Sequence, residues 1–322
     1  MGKPKISIAI PTYNEEKNIK ECLDSILRQK YPESKLEVFV VDGGSLDKTI
    51  EIAKVYPVTI IPNPEKDAQR GKMLALKKAT GDYYIYLDGD SFLKGTNWFT
   101  KMLKPLLEDT SIIASFSRYY SRKSDHWLTR FLYYDPIGRD PIYEFFSPAI
   151  EKSFKQKRAG YYLCEFNKDL IPPEGRCLYR VSILKKSLIY KRHKFMELDN
   201  LAILVSEGKT RFAYVPSAGF YHNFILGFKS LIRKRFRNIN KNYLHQEEGR
   251  YYTWFNLRSP RGLLKVLIWI VYANTLVFGF LRGIYKSIKY KDPVCLIEPV
   301  LNIIETDIII FGFAWYFFAK RK

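Results

Sequence analysis

Cysteine and histidine are scarce in this chain, with 4 of each among 322 residues. Cys22, Cys164, Cys177 and Cys295 never fall at a CxxC spacing. That argues against a structural zinc centre and against a disulfide framework. Reduced, buried thiols of a cytosol-facing protein are the expectation. The apolar run at 6–10 is too short for a signal peptide and lacks a small-residue cleavage site, so it reads as a strand. Ile6 stands where a myristoylation pattern needs Ser or Thr. There is no internal repeat and no low-complexity tract. Acidic charge is lacking in one part only. Up to Thr110 there are 17 basic and 16 acidic residues, whereas from Ser111 onward there are 36 against 17, a net of +19 out of +20. A basic part beside a neutral one implies contact with nucleic acid, an anionic membrane or phosphorylated ligands. With 47% hydrophobic and 27% charged residues, wholesale disorder is excluded.

The first part alternates strand and helix signals. Strands are expected at 6–10, 36–41, 58–61, 83–87 and 112–116. Helices are expected at 15–29, 69–79 (closed by Gly81) and 97–107, with a further one capped by Asp47 and running to about Tyr56. This order predicts an α/β fold with a mostly parallel sheet, flanked by helices, whose ligands bind at the carboxyl ends of the strands. Three segments fall there: Pro11-Thr12-Tyr13, Asp42-Gly43-Gly44 and Asp88-Gly89-Asp90. Residues 118–174, rich in Tyr, Phe, Arg and Pro, read as a long irregular excursion over the site. Regular signals return at 177–188, 198–207 (a helix stopped by Gly208), 211–215 (a strand) and 228–244 (a strongly basic helix).

Asp88 and Asp90, separated by a glycine that lets the backbone bend, can approach a hard divalent cation together. Such a cation neutralises charge on a phosphate leaving group. Asp42 can accept hydrogen bonds from a base or ribose, or can simply hold its turn. Thr12-Tyr13-Asn14-Glu15 can stack on a base, or can form a capping box through Thr12 and Glu15. Arg70 and Lys72 flank Gly71 at a helix start, where phosphate oxygens are well held.

Taken jointly, SIAIPTYNEEKNIKECLDSIL, VFVVDGGSLDKT and RGKMLALKKATGDYYIYLDGDS resemble the family 2 glycosyltransferases of GT-A fold. The resemblance is detailed over the first third and looser to about Tyr243. It implies inverting transfer of a sugar from a nucleotide-diphosphate donor, a UDP- or GDP-sugar, with Mg²⁺ or Mn²⁺. By position it makes Pro11, Tyr13, Glu15 and Asp42 nucleotide contacts, and sets Gly71 and Lys72 beside the nucleotide. It places Asp88 at ribose, sugar or metal, Asp90 on the metal, and His222 near metal and diphosphate. The family's Glu-Asp pair, one member of which is the general base, corresponds to Glu197 and Asp199, here separated by Leu198. Either fits; Asp199 is the choice, because a carboxylate at a helix start is favoured by the dipole. Gly175-Arg176 resembles the acceptor-side turn. The Gln-x-x-Arg-Trp signature of processive members is absent from Arg233-Lys234-Arg235-Phe236-Arg237, and Tyr252-Thr253-Trp254-Phe255 does not replace it. The basic run is then free to meet lipid phosphate or a membrane.

Two apolar stretches, 266–281 and 308–319, close the chain. Basic flanks (Arg258 and Arg261 before, Arg282 to Lys291 between, Lys320-Arg321-Lys322 after) conflict with two full spans, and a membrane-embedded hairpin or interfacial helices remove the conflict. The expected organisation is a catalytic domain over 1–250, with a nucleotide-sugar half to about 117 and an acceptor half from 118, followed by a membrane-associated helical tail over 251–322. The expected enzyme sits at the cell membrane with its catalytic domain facing the cytoplasm, and its acceptor is a lipid phosphate or lipid-linked saccharide. A soluble or cell-surface glycan acceptor, with the tail only as anchor, is the alternative. A basic nucleic-acid-binding protein is a remote one, since no recognition motif is present. A nucleotidyltransferase would also use paired Asp residues, but PTYNEE is not its Gly-rich phosphate loop.

Overall fold

The buried run Ile6–Thr12 forms β1, the central parallel strand, because its residues are apolar or small on both faces. The computed structural model describes residues 2–171, 176–223, 227–239, 249–252 and 259–319. Gly175, residues 240–244 of the basic helix, the 253–255 part of the aromatic string, Arg258 and the Lys320-Arg321-Lys322 end lie outside them. After β1 come α1 (Ile19–Leu27), β2 (Leu36–Asp42), α2 (Thr49–Ala53), β3 (Val58–Pro62), α3 (Ala68–Lys78), β4 (Tyr83–Tyr86), β5 (Ser91–Leu93), α4 (Trp98–Glu108) and β6 (Ala114–Tyr120). Then follow α5 (Trp127–Tyr133), α6 (Pro141–Phe146), β7 (Phe154–Arg158), β8 (Tyr161–Glu165), β9 (Cys177–Arg180), α7 (Val181–Lys186), α8 (Glu197–Ser206) and β10 (Arg211–His222). Among the described residues the further α-helices are α9 (Phe228–Ile239), α10 (Pro260–Asn274), α11 (Leu276–Tyr290) and α12 (Glu298–Ala319).

The chain forms two compact units, residues 1–120 with 149–222, and residues 121–148 with 223–322. The first holds the whole sheet, in the order β3-β2-β1-β4-β9-β6-β10-β8-β7, with β5 paired to β10. β3, β2, β1 and β4 are parallel, as are β6 and β10. The remaining pairs are antiparallel, so the sheet is mixed. The chain leaves β1 for β2 on one side and returns by α3 to β4 on the other, which makes the carboxyl end of β1 the topological switch point where α/β sheets bind ligands. Trp98, Phe99, Leu103 and Leu106 of the amphipathic α4 seal one face, and Ile19, Cys22, Leu23 and Ile26 of α1 add to the same core.

Several expectations change. The described part of the 118–174 stretch, to Ile171, is not an irregular excursion. It contains α5, α6 and the hairpin β7–β8, whose turn uses Gly160 at φ +94°. These elements are short, and the exposed Lys155, Gln156 and Lys157 of β7 hide the alternation. Part of that stretch, residues 121–148, belongs to the second unit rather than to the sheet. Asp47 binds Thr49 N at 3.0 Å but lies outside the helix, whose cap is Lys48. α1 begins at Ile19, not at Glu15, and no Thr12–Glu15 capping box opens it. The strand expected at 211–215 continues to His222 through a register shift between Tyr214 and Gly219.

The second unit is helical. Trp269 and Ala273 of α10 pack with Ile142 and Phe146 of α6, and Trp269 Nε1 donates to Thr306 Oγ1 at 2.9 Å. Gly279 and Gly283 let α11 lie close to Pro299 and Cys295, since a β-carbon would stand 2.8 Å from Pro299 Cα or 2.7 Å from the Cys295 carbonyl. Buried ion pairs hold the helices in register: Glu298 with Arg282 (3.2 Å) and Lys286 (2.9 Å), Glu144 with the same two cations, and Arg235 with Asp140 and Glu305 (3.1 Å). Arg235 of the basic run is therefore turned inward, while Arg233 and Arg237 are exposed. Among the described residues no single helix is long and apolar enough to cross a membrane; α10 and α11 pass that test only as a pair, bent by 78°.

Candidate active site

The carboxyl ends of β1, β2 and β4 bring the three sequence segments to one edge. Thr12 is in register with Asp42, and Gly43 N donates to the Thr12 carbonyl at 2.8 Å. Asp42 accepts hydrogen bonds from Gly44 N (2.9 Å), Ser45 N (3.0 Å) and Ser45 Oγ (2.6 Å), so it also shapes its own turn. Asn14, at φ +56°, ties that turn to the end of β1: it donates to Ser45 Oγ and accepts from Leu46 N, both at 2.9 Å. Tyr13 is left 44% exposed, with Lys66 Nζ over its ring at 5.3 Å and its ring edge against Gly43, the residue after Asp42. Asn14 lay in the segment singled out for a base, but its part in closing the turn did not show in the sequence, and neither Ser45 nor Lys66 stood out, because each matters only through the loop it closes.

Pro11 is buried at the end of β1. A β-carbon on Gly71 would stand 3.1 Å from Pro11 Cβ and 3.4 Å from Val41 Cγ1. Close packing of α3 thus accounts for that glycine. Gly89 is similarly constrained, with Glu15 Cγ and Thr12 Cγ2 each 3.1 Å from a β-carbon placed there. Glu15 accepts from Asn18 Nδ2 at 2.8 Å. Thr12 Oγ1 and Asn63 Oδ1 are buried without a hydrogen-bond partner among the described residues.

Asp88 and Asp90 follow β4 on a tight turn, Ser91 N donating to the Asp88 carbonyl at 2.9 Å. Antiparallel pairing of β10 with β5 sets His222 opposite Ser91. One carboxylate oxygen each from Asp88 and Asp90 and a ring nitrogen of His222 lie within 4.8 Å of one another. His222 Nε2 is 3.0 Å from Asp90 Oδ1 and 3.8 Å from Asp88 Oδ2. Two carboxylates and an imidazole suit a divalent cation of the Mg²⁺ or Mn²⁺ type, with the nitrogen favouring Mn²⁺. The residues therefore fit the cation that the sequence implies.

Two buried cations complete the cluster. Arg176 binds Asp88 Oδ2 and lies 3.2 Å from Ser91 Oγ. Lys72, 3% exposed, lies 3.6 Å from Asp88 Oδ1, contacts Glu197 directly, and stands 4.3 Å from the centre of the Tyr86 ring. Burial by itself would raise the Asp88 carboxyl, but Arg176, Lys72 and His222 outweigh it and hold the group well below the usual range. Burial pushes the Cys22 thiol far up, and the nearby Asp90, Asp88 and Glu15 push it further, so Cys22 is an inert thiol. None of the four cysteines is in a disulfide, and all are buried. Arg176 lies more than eighty residues from Asp88 in sequence, and nothing in its own segment announced the pairing.

The structure separates Glu197 from Asp199. Glu197 opens α8 and meets Lys72 at the site, with its side chain 23% exposed. Asp199 is in the first turn of the same helix, fully buried, 3.5 Å from Arg192. Met196, not Asp199, occupies the cap position. Phe195 anchors this segment, packing on Tyr84, Tyr86 and Tyr179, while its N–H bonds the Gln69 carbonyl at 2.9 Å.

The solved mannosyltransferase PcManGT of Pyrobaculum calidifontis, captured with GDP-Man and Mn²⁺, superposes over 95% of this chain and 87% of its own, with TM-score 0.53 and 17% identity, a likeness of GT-A fold. A dolichyl N-acetyl-alpha-D-glucosaminyl phosphate 3-beta-D-2,3-diacetamido-2,3-dideoxy-beta-D-glucuronosyltransferase of Methanococcus voltae is 33% identical over 330 residues, 96% of this chain and 95% of the relative. Glycosyltransferase AglE of Haloferax volcanii is 43% identical over 94 residues, 27% of this chain and 31% of AglE. The poly(ribitol-phosphate) beta-N-acetylglucosaminyltransferase TarS of Staphylococcus aureus is 34% identical over 95 residues, 28% of this chain and 17% of TarS. The chain thus spans under a third of AglE and TarS but nearly all of the Methanococcus relative. The family model for glycosyl transferase family 2 matches residues 7–188, more than half of the sequence, and the chain belongs to that family.

Proposed function

We propose that the chain is an inverting, metal-dependent glycosyltransferase that moves a sugar from a UDP- or GDP-sugar to a lipid phosphate or lipid-linked saccharide. The observation that carries this is Lys72, one buried cation touching both Asp88 of the donor edge and Glu197 of the acceptor side. Tyr13 and Asp42 receive the nucleoside, with Pro11 and Glu15 shaping the floor beneath it. The unpartnered Thr12 and Asn63 oxygens supply further acceptors at that edge. Asp90, His222 and Asp88 hold the divalent cation, which when bound neutralises negative charge on the diphosphate. Lys72 adds a fixed positive charge beside it.

Glu197 is the base in this reading, replacing Asp199, the choice made from helix position. A base must reach the acceptor hydroxyl, and Asp199 is sealed against Arg192. The hydroxyl oxygen of a saccharide acceptor attacks the anomeric carbon from the face opposite the diphosphate, and its proton passes to the Glu197 carboxylate; a lipid phosphate would attack through an oxygen that is already anionic and has no proton to pass. The bond between the anomeric carbon and the phosphate oxygen breaks, and the nucleoside diphosphate leaves with the electron pair. The configuration inverts.

The acceptor class is supported by the Methanococcus relative, whose name specifies a dolichyl phosphate-linked sugar, and by the basic second unit, with 21 basic and 10 acidic residues, a net of +11. Work at the cytoplasmic face of the cell membrane belongs to the same proposal, since anionic lipid attracts such a surface. A glycan acceptor with the helical tail serving as an anchor is the second reading, favoured by the polyol-phosphate name of TarS. The test is nucleotide release from a panel of UDP- and GDP-sugars with Mn²⁺ and with polyprenyl-phosphate saccharides or soluble glycans. Glu197→Gln is expected to lower turnover by about 10²–10⁴ with donor binding kept, while Asp199→Asn keeps most of it. The reverse pattern restores Asp199; no donor use at all sinks the proposal.

A further inference from the structure

α10 and α11 are built inside out for helices in water. Their inward faces carry Trp269 and Ala273 in one, and Gly279 and Gly283 in the other. Two cations of α11, Arg282 and Lys286, also turn inward, onto Glu144 and Glu298. The outward faces carry Leu264, Leu267 and Val271, then Val277, Leu281 and Ile288, which are 51–74% exposed. These spacings put one apolar stripe on each helix. A monomeric soluble protein rarely leaves so much apolar surface uncovered.

The polar residues at the bend are already satisfied. Asn274 Nδ2 donates to the Ile270 carbonyl at 2.8 Å, and Thr275 Oγ1 donates to the Val271 carbonyl at 2.7 Å. Polar side chains that bond back onto their own helix are what a medium without water requires. Each helix has 15 residues, and is therefore about 22 Å long, short of the roughly 30 Å of a hydrocarbon core. Exposed Arg261, Lys289 and Lys291 border the stripes, and the unit as a whole carries +11.

We propose that the outward face of α10 and α11, bent at Thr275, lies in the plane of an anionic bilayer at the boundary of headgroups and acyl chains, without crossing it. The apolar stripes enter the upper acyl layer, and the bordering cations meet lipid phosphate. This surface rests on the reading that the acceptor is presented at a membrane, and it specifies how the protein reaches it.

The test uses the full chain in flotation with vesicles of phosphatidylcholine alone and of an equimolar mixture with phosphatidylglycerol. Wild type is expected to float with the mixed vesicles and far less with the neutral ones. The combined Leu267→Glu, Val271→Glu, Val277→Glu and Leu281→Glu variant is expected to lose at least about tenfold of the bound fraction, with its melting temperature and donor binding unchanged because these side chains are exposed. Flotation by that variant at the wild-type level overturns the proposal, as does equal binding to both vesicles. So does a soluble wild-type dimer that the same substitutions dissociate, since the face then covers a second copy. The four native cysteines are buried, so Val271→Cys can be labelled alone. Quenching of that label by bromines high on the acyl chain supports in-plane placement, and quenching near the chain ends overturns it. Vesicle binding without any donor turnover leaves the surface standing and removes the transfer reading.

Discussion

Asp88 is held by more positive charge than a lone metal ligand needs. Arg176 and Lys72 each take one of its oxygens, and His222 stands beside it. Its carboxylate is fixed in place before any ligand arrives, whereas Asp90 faces His222. The two therefore differ in what their loss should do. Asp90→Ala is expected to abolish the Mn²⁺ dependence of turnover and to weaken Mn²⁺ binding at least tenfold by titration calorimetry. Arg176→Met should leave the fold folded yet cut turnover, because Asp88 loses its buried partner and reorients; unchanged kinetics with unchanged Mn²⁺ affinity would make Arg176 a packing residue only. The resemblance in the sequence pointed to Asp88, Asp90 and His222 together. It did not reveal Arg176 beside Asp88, because the two flank β9 and β4, strands that meet only once the sheet has formed.

At the scale of elements, two junctions show how the edge is kept in shape. Glu37 pins β2 to β1 and to the turn before β4: it accepts from Ser7 Oγ (2.5 Å), Thr80 N (2.9 Å), Thr80 Oγ1 (2.6 Å) and Lys5 Nζ (3.0 Å). Burial acts to raise this carboxyl, but the bonds from Ser7, Thr80 and Lys5 prevail and bring it down to about 2. A carboxyl lowered by folding contributes stability above its unfolded value of roughly 4.3, and that contribution is lost as the pH falls toward 2. Glu37→Gln should therefore cost roughly 1–2 kcal/mol at pH 7, discounted for solvent screening. The cost should shrink steadily in denaturant melts between pH 5 and pH 2; a cost independent of pH would show that packing, not charge, is lost. The second junction is Phe195, fully buried among Tyr84, Tyr86 and Tyr179. Phe195→Ala should cost about 3–5 kcal/mol and loosen Glu197 from Lys72, read as a fall in kcat larger than the change in donor affinity. Apart from the three-residue β5, which the sequence did not mark, the strand–helix alternation of the first hundred residues was legible because each strand is a short, mostly apolar run bounded by turn residues. α5, α6 and β7 were not, since five to seven residues with mixed polarity carry no usable period.

For the whole molecule, the charge split and the two units do not coincide in sequence. The second unit takes residues 121–148 from the middle of the chain and joins them to everything from Asn223 onward. If donor chemistry belongs to the first unit and membrane binding to the second, removing divalent cations with EDTA should stop turnover while vesicle flotation persists. Loss of both together would mean that the cation supports more than the transfer site.

Local pattern and motif order sufficed for the parallel strands, the carboxyl-end turns, the family and the basic excess of the second part, because each is written in neighbouring residues. Other features were decided by the tertiary structure. They include the mixed sheet, His222 arriving on a continuous strand, Asp88 gripped by Arg176 and Lys72, the division of Glu197 from Asp199, and the charged interior beneath an apolar outer face of α10 and α11. These depend on which residues distant in sequence are buried against one another. Burial changes the chemistry: it makes Asp199 a sealed partner of Arg192 and leaves Glu197 at the site, although two residues on one short helix look interchangeable in the sequence.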